Sequence, residues 1–346
     1  MEQFLKHLVN ITGHRDHSLL DISVVVAVHN LIGACQVRVL DVFQFRNDLY
    51  IQQKVWIEKG EVVSDDNFGI DHSGEPVSRF PVLAACIEER RNCAEEIAAD
   101  GRHRLWLPIW LDDRIGACLE VSSDQAFDGG NLTLIQSIAD VYHNAMSLLD
   151  YSERDSLTGL FNRKTFDEKF AKMAFSMASQ ESQSLQDDDE RRQHAKVQAQ
   201  WLAVVDIDHF KSVNDQFGHL YGDEVLILIA NLLRASFRTH DPVFRFGGEE
   251  FVVLLRSTTP NNARAIFERF REKVEKYDFP QVGRVTISLG FISITMETPV
   301  VILGHADQAL YYAKEHGRNQ VVSYDELDSA GLVTQEVAAE SDVEFF

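Results

Sequence analysis

The run Trp201-Leu-Ala-Val-Val-Asp-Ile-Asp208 ends an apolar segment in two carboxylates. Such a segment reads as a buried strand, so Asp206 and Asp208 emerge at its open end. Two residues apart, they point to the same side. Like charges that close are costly unless a cation lies beside them. The alternative is that they cap the turn beginning at His209 by accepting hydrogen bonds from its backbone amides. A second acidic group stands in Arg245-Phe-Gly-Gly-Glu-Glu-Phe251. Paired glycines between apolar segments specify a tight hairpin and leave the backbone open to a ligand. Consecutive strand residues face opposite ways, so Glu249 and Glu250 are not expected to reach one metal together. One would bind the ion, while the other orients a neighbour or stays in solvent. Alone, this motif is also what a polar hairpin tip looks like. Together, an acid-ended strand and an acid-bearing hairpin suit Mg²⁺, a hard cation that takes oxygen ligands. Two such ions can clamp the attacking and leaving oxygens of a phosphoryl transfer. Lys211, Lys314 and Arg318, from separate segments, are candidates to meet the phosphates.

These residues need a scaffold, and the second half alternates helix and strand. A helix follows Asn162, and 201–207 is a short apolar strand. Residues 221–236 form an amphipathic helix, and 243–246 and 251–255 are strands around the Gly-Gly turn. A helix over 262–277, a strand over 285–294, a helix over 301–316 and a strand over 320–324 complete an α/β sandwich. Its mixed sheet is covered by helices on at least one face. The first half opens with helices over 2–12 and 19–31. Strands over 36–45 and 49–56 follow, then a helix over 79–91. A hairpin pairs 105–110 with 115–122 through Asp112-Asp113-Arg114. One long helix runs from Asn131 to about Arg154. Its apolar positions make two series, Ile135, Ile138, Tyr142, Ala145, Leu149 and Leu134, Ile138, Val141, Ala145, Leu148. Both step by three and four, which fits packing on its own domain and a dimer seam equally.

The chain has 346 residues, enough for roughly two domains. Lys plus Arg is 33 and Asp plus Glu is 54, a formal net charge of −21. That charge disfavours nucleic-acid polymers and anionic lipid. It still allows a small anionic nucleotide bridged by Mg²⁺. Four cysteines are too few and too spread for a disulfide scaffold or a Cys-x-x-Cys zinc site. No window approaches the ~18–20 apolar residues of a membrane span, so a cytoplasmic, soluble protein is expected. The polar stretch 180–200 reads as an exposed loop, and the acidic tail beyond 325, ending in Phe345 and Phe346, as a mobile segment. His14 with His17 and Cys86 with Cys93 are better read as surface histidines and buried thiols than as a metal or redox site.

Five segments resemble, in order and spacing, the GGDEF family of diguanylate cyclases over about residues 151–325. They are Asp155-Ser-Leu-Thr-Gly-Leu-Phe-Asn-Arg163, Asp206-Ile-Asp-His-Phe-Lys-Ser-Val-Asn-Asp215, Phe217-Gly-His-Leu-Tyr-Gly-Asp223, Arg245-Phe-Gly-Gly-Glu-Glu-Phe251 and Ala313-Lys-Glu-His-Gly-Arg-Asn319. The resemblance implies a fold like the palm of nucleotidyl cyclases and polymerases. It implies condensation of two GTP into cyclic di-GMP and pyrophosphate, with Mg²⁺, or Mn²⁺ in its place. Each protomer would hold one GTP, so a homodimer is implied. Asp206 and Glu249 match the carboxylate metal ligands, assisted by the carbonyl of Ile207. Asn214 and Asp223 match the guanine-binding positions. Lys211, Lys314 and Arg318 match the phosphate-binding positions, with backbone amides around Phe210, while Gly248 leaves room for the ribose. Glu250 matches a catalytically important acid, and the 155–163 segment locks the incoming helix to the domain. Arg238 and Asp241 match an R-x-x-D inhibitory product site, whose Arg can bond the guanine edge. Glu249 replaces the eponymous Asp, and Gln320 stands where a basic residue is common.

The first half resembles, more weakly, a GAF sensory domain, through residues 105–121, Phe127 and the long helix; a PAS-like sensor is the alternative. No motif names its ligand, a small molecule or other signal. The expected division is a GAF-like sensor over 1–130, a connecting helix over 131–154, the cyclase domain over 155–325 and a tail over 326–346. The competing function is a catalytically silent receptor for cyclic di-GMP or GTP. The intact Asp206, Glu249, Lys211 and Lys314 favour catalysis.

Overall fold

The structure is a computed structural model. It describes residues 2–45, 48–58, 60–64, 74–111, 114–184, 199–238 and 240–333. Most of the polar stretch 180–200, the end of the tail with Phe345 and Phe346, and Asp112 and Asp113 of the expected turn lie outside these residues. The chain divides into two units, Met1–Ser152 and Glu153–Phe346.

The first unit runs α1 (Glu2–Gly13), α2 (His17–Ile32), β1 (Gln36–Phe45), β2 (Asp48–Glu58), β3 (Glu61–Ser64), β4 (Glu75–Pro76), a 3₁₀ turn (Val77–Arg79), α3 (Pro81–Glu88), β5 (Ala94–Ile97), β6 (His103–Leu111), β7 (Arg114–Ser123) and α4 (Gly129–Glu153). The strands form an antiparallel sheet in the order β3-β2-β1-β7-β6-β5, with β4 on β2. Asp16 caps α2 by accepting from the Leu19 amide, and Gly33 closes it at φ 68°. Val24, Val28, Val37, Leu107 and Ile138 share a core with the helices on one face, and Leu83 and Ile87 of α3 pack with Leu40 and Trp106 in another. The helix expected over 79–91 begins later, because Pro81 keeps Phe80 out of helical geometry. Inside α4, Ile135, Ile138, Tyr142 and Met146 are buried within the unit, whereas Leu148 is 71% and Tyr151 77% exposed. The first apolar series therefore serves mainly the unit's own core, and Leu148, of the second, faces outward. The Tyr142 hydroxyl donates to buried Asp21, which also pairs with Lys54, so one carboxylate ties α2, α4 and β2 together. Cys86 and Cys118 are buried, and burial pushes both thiols up.

The second unit contains β8 (Phe161–Asn162), α5 (Arg163–Ser184), β9 (Ala199–Ile207), α6 (Phe210–Phe217), α7 (His219–Arg234), β10 (Val243–Gly247), β11 (Glu250–Thr258), α8 (Pro260–Lys276), the short pair β12 (Asp278–Phe279) and β13 (Gly283–Arg284), β14 (Ile287–Ser293), α9 (Pro299–Glu315), β15 (Val321–Ser323) and α10 (Tyr324–Ser329). The main sheet has the order β15-β14-β9-β11-β10-β8. It is parallel at β14–β15 and β10–β8 and antiparallel elsewhere. Helices cover both faces, which explains the near-continuous apolar run of β9. Its odd residues, Trp201 to Ile207, enter the core with Val225 and Ile229 of α7 and Phe267 of α8. Leu202 and Val204 enter the core with Phe166 of α5 and Ile302 and Leu310 of α9. Asp206 continues this even series, so its carboxylate leaves the sheet on the α9 side. Among the described residues, no helix is long and apolar enough to cross a membrane.

Gly290 of β14 lets α9 approach. A Cβ there would lie 2.2 Å from both the Ala306 carbonyl oxygen and the Leu310 nitrogen, and neither backbone atom can move alone. Gly290→Ala is expected to destabilise the protein by about 3 kcal/mol, a fall in melting temperature of about 10 °C. A thermal melt checks it; an unchanged midpoint would show that α9 is free to shift.

Candidate active site

Asp206 lies in register with Glu250 on β11 and with Ser288 on β14, so these residues share one face. Asp206 is buried, and the Lys314 Nζ stands 2.9 Å from its Oδ2. Lys314 reaches it from the last turn of α9, whose path over the sheet Gly290 sets. Glu249 sits in the turn rather than in β11, after Gly248 at φ 48°. The rule that neighbouring strand residues face opposite ways therefore does not apply to it. Glu249 and Glu250 both feel the charges of Asp206 and Lys314.

Desolvation pushes the carboxyls of buried Asp206, of half-buried Glu249 and of Glu250 at the exposed start of β11 above the ordinary range. For the two glutamates the charge of Asp206 adds to this, while Lys314 opposes it throughout. Asp307, two turns before Lys314 on α9, is also raised by burial and lowered by Lys314. Sequence reasoning missed it; its seven-residue spacing from Lys314 was the available signal. Lys314, with Arg163 beside Glu250, thus offsets only part of this negative charge. Among the described residues no three His, Cys, Asp or Glu side chains form a ready metal cage. The donor set nevertheless fits Mg²⁺: Asp206, Glu249 and the Ile207 carbonyl are hard oxygens, and a bound phosphate would supply the rest.

Asp208 adds its charge to Asp206, but its carboxylate is held by neighbouring donors. Its carboxylate accepts from Thr286 Oγ1 (2.7 Å), Ser288 Oγ (2.7 Å) and the Asn319 amide (3.0 Å). Beyond it, His209 turns the chain at φ 57° into α6, whose N-terminus no side chain caps. Phe210 opens α6 and is buried; Lys211 beside it is exposed. Asn214 lies against α7, where a Cβ on Gly222 would come 2.0 Å from its Oδ1. Asp223 follows Gly222 and is exposed, so both expected guanine contacts stand at the α6–α7 corner. Arg318 sits in a turn after α9, at φ 61°.

Arg245 braces the Gly-Gly turn from behind. Its Nη1 donates to Asp155 Oδ1 and Oδ2 (3.0 and 3.2 Å), and its Nε and Nη2 donate to the Gly248 carbonyl (3.1 and 2.9 Å). Burial raises Asp155, but bonds from Thr158 and Arg245 outweigh it and hold the carboxyl below the usual range. The 155–163 segment thereby fixes the turn that carries Glu249. Away from this cluster in sequence, the Arg238 residue is exposed, whereas Asp241 is buried and accepts from the Arg238 and Arg256 amides (both 3.1 Å).

Residues 152–320 match the family model described as diguanylate cyclase, GGDEF domain. This region is a GGDEF domain. The probable diguanylate cyclase DgcT of Escherichia coli (strain K12) is 40% identical over 184 residues, which is 50% of this chain and 36% of DgcT. The diguanylate cyclase DgcZ of the same organism is 27% identical over 289 residues, covering 78% of this chain and 84% of DgcZ. The coiled coil and GGDEF domain of DgcB from Caulobacter crescentus, crystallised in complex with c-di-GMP, aligns with a TM-score of 0.46 at 27% identity. That alignment covers 57% of this chain and 100% of that one. The chain spans less than half the length of several curated relatives it matches.

The raised carboxyls of the GGDEF domain carry a stability signature. Each holds its proton more tightly folded than unfolded, so its contribution is full below the ordinary carboxylate range and is lost as pH rises through the raised value. Glu249→Gln is therefore expected to raise the metal-free melting temperature at pH 7 by about 1–3 °C. The gain should vanish near pH ~4, and Mg²⁺ should narrow it by stabilising the unsubstituted protein alone. Melts at both pH values check this; an equal or lower midpoint at neutral pH contradicts it.

Proposed function

We propose that the chain is a diguanylate cyclase that condenses two GTP into cyclic di-GMP and two pyrophosphates. The observation that carries this reading is the acidic cluster of Asp206, Glu249 and Glu250 around Lys314 in the GGDEF domain. Asp206, Glu249 and the Ile207 carbonyl would hold Mg²⁺, or Mn²⁺ in its place. The metal would neutralise the triphosphate and favour ionisation of the attacking 3′-hydroxyl. Lys314, paired with Asp206 in the structure, would exchange that partner for a phosphate oxygen. Lys211, Arg318 and the amides around Phe210 would hold the remaining phosphates. Asn214 and Asp223 would read the guanine; an acceptor at Asp223 suits its N1–H and N2 donors and rejects adenine. Gly248, without a side chain, leaves room for the ribose. Glu250, with its raised pKa, suits accepting the 3′-hydroxyl proton.

Each site would hold one GTP, so two protomers face each other and the dimer's geometry limits the rate. The first unit is read as a GAF-like sensor, with α4 linking it to the GGDEF domain. Cyclic di-GMP would inhibit at a second site, with Arg238 reaching the guanine and Asp241 holding the turn beneath it. GTP as substrate and four free cysteines suit a cytoplasmic setting.

Incubating the protein with GTP and Mg²⁺ and weighing the product by mass spectrometry tests the reading directly. Asp206→Ala and Glu249→Ala should each lower turnover by at least about 100-fold while the fold persists; full activity in either would overturn the metal assignment. Asp223→Ala should lower the GTP-over-ATP rate ratio about tenfold or more. An unaltered ratio removes it from the base pocket. Arg238→Ala should shift cyclic di-GMP inhibition to higher concentration without lowering the uninhibited rate. Unchanged inhibition curves return Arg238 to the protein surface.

A further inference from the structure

Asp208 stands two residues beyond Asp206, yet its carboxylate is spent elsewhere. Only 5% of the residue is exposed. Oδ1 accepts from Ser288 Oγ, and Oδ2 accepts from both Thr286 Oγ1 and the Asn319 backbone amide. Its own amide donates to the Thr286 carbonyl at 2.9 Å. The Asn319 bond reaches 111 positions along the chain, into a turn of unusual backbone. Gly317, Arg318 and Asn319 take φ values of 111°, 61° and 46° in succession. Two adjacent non-glycine residues in the left-handed region persist only when their surroundings hold them. Here α8 grips the Asn319 side chain: Arg271 Nη1 donates to its Oδ1, and its Nδ2 donates to Glu275 Oε1, both at 2.8 Å. Gln320 Nε2 donates to the Ala313 and His316 carbonyls at the end of α9 (2.8 and 3.0 Å). The Arg318 amide donates to the Ala313 carbonyl (3.0 Å), and Asp208 supplies the grip on the Asn319 backbone. On its other side, His209 at φ 57° begins the path into α6 and Lys211.

We propose that Asp208 is a positioning residue for the nucleotide's triphosphate: it locks the Arg318 turn and the start of α6 to the end of β9. This rests on the cyclase reading above. The lock sets the spacing between Arg318, Lys211 and Asp206, so that the two cationic side chains and a cation held at Asp206 meet one phosphate chain. Alanine would leave the Asn319 amide and two hydroxyls without their acceptor. Asparagine can restore the pattern. Its oxygen would take the place of Oδ2, and its amide would donate to the Ser288 hydroxyl, which can also accept.

The test is calorimetric titration of the full chain with a non-hydrolysable GTP analogue and Mg²⁺, alongside steady-state kinetics. Asp208→Ala should weaken analogue binding and raise KM for GTP about tenfold. The corresponding kcat should stay within about threefold. The Mg²⁺ concentration for half-maximal activity at saturating GTP should not move. Asp208→Asn should recover most of the lost affinity. Should the alanine variant fail to fold, Thr286→Val/Ser288→Ala removes two donors and keeps the carboxylate; it should raise KM about threefold or more. The inference is overturned if the folded variants bind the analogue like the unsubstituted protein, with only the melting temperature lowered. It is also overturned if Asp208→Asn shifts the Mg²⁺ requirement, which would make Asp208 a metal ligand. If the unsubstituted protein itself binds no analogue, the cyclase reading fails and takes this inference with it.

Discussion

Carboxylates crowd together against a single lysine at the open end of β9, and that repulsion is the constraint on which the site depends. Desolvation and mutual repulsion raise Asp206, Glu249 and, at the exposed start of β11, Glu250; Lys314, with Arg163 beside Glu250, offsets only part of this. A fold under no functional demand would scatter such charges into solvent. Each is brought in by a different device. Alternation along β9 sends Asp206 toward α9. Register across β11 sets Glu250 opposite it, and the Gly-Gly turn brings Glu249 within reach of the charge of Asp206. The missing side chain of Gly290 lets α9 come close enough to present Lys314. An arrangement reached by four independent routes is one that a divalent cation would complete.

Hydrogen bonds and an ion pair tie the segments that carry these groups to their surroundings. Arg245 joins the first motif of the domain, through Asp155, to the carbonyl of Gly248, so the turn cannot drift without breaking a charge-assisted pair. Asp208 performs the parallel task on the other side, joining β9, β14 and the turn after α9. Left-handed backbone occurs at His209, Gly248, Arg318 and Asn319, in the segments that follow or flank these acids in sequence or hydrogen-bond to Asp208. Conformations of this kind are held only where neighbours over-determine them.

Much of this was legible in the residues. The apolar run of β9 is buried on both faces as its composition demands, and the paired glycines mark the hairpin. The α4 pattern admitted two readings because its apolar face is broader than one contact needs; the structure buries Ile135, Ile138 and Tyr142 inside the first unit and leaves Leu148 outside. What could not be read depended on tertiary placement. Asp206 and Asp208 are the same residue type two positions apart, and only the positions of Ser288 and Asn319 tell the acid held by hydrogen bonds from the one paired with Lys314. Glu249 and Glu250 escape the alternation rule because the turn ends one residue later than the acids begin. The short elements α6, β3, β5 and α10 carry too few residues for a period to show.

The central claim is that Asp206 and Glu249 share a divalent cation with a bound nucleotide. Mn²⁺ binding to the complex of the protein with a non-hydrolysable GTP analogue, followed by electron paramagnetic resonance, tests it most directly. The account predicts a bound Mn²⁺ population in the unsubstituted protein whose affinity falls about tenfold or more in Asp206→Asn and in Glu249→Gln. Equal Mn²⁺ affinity in all three proteins would contradict it.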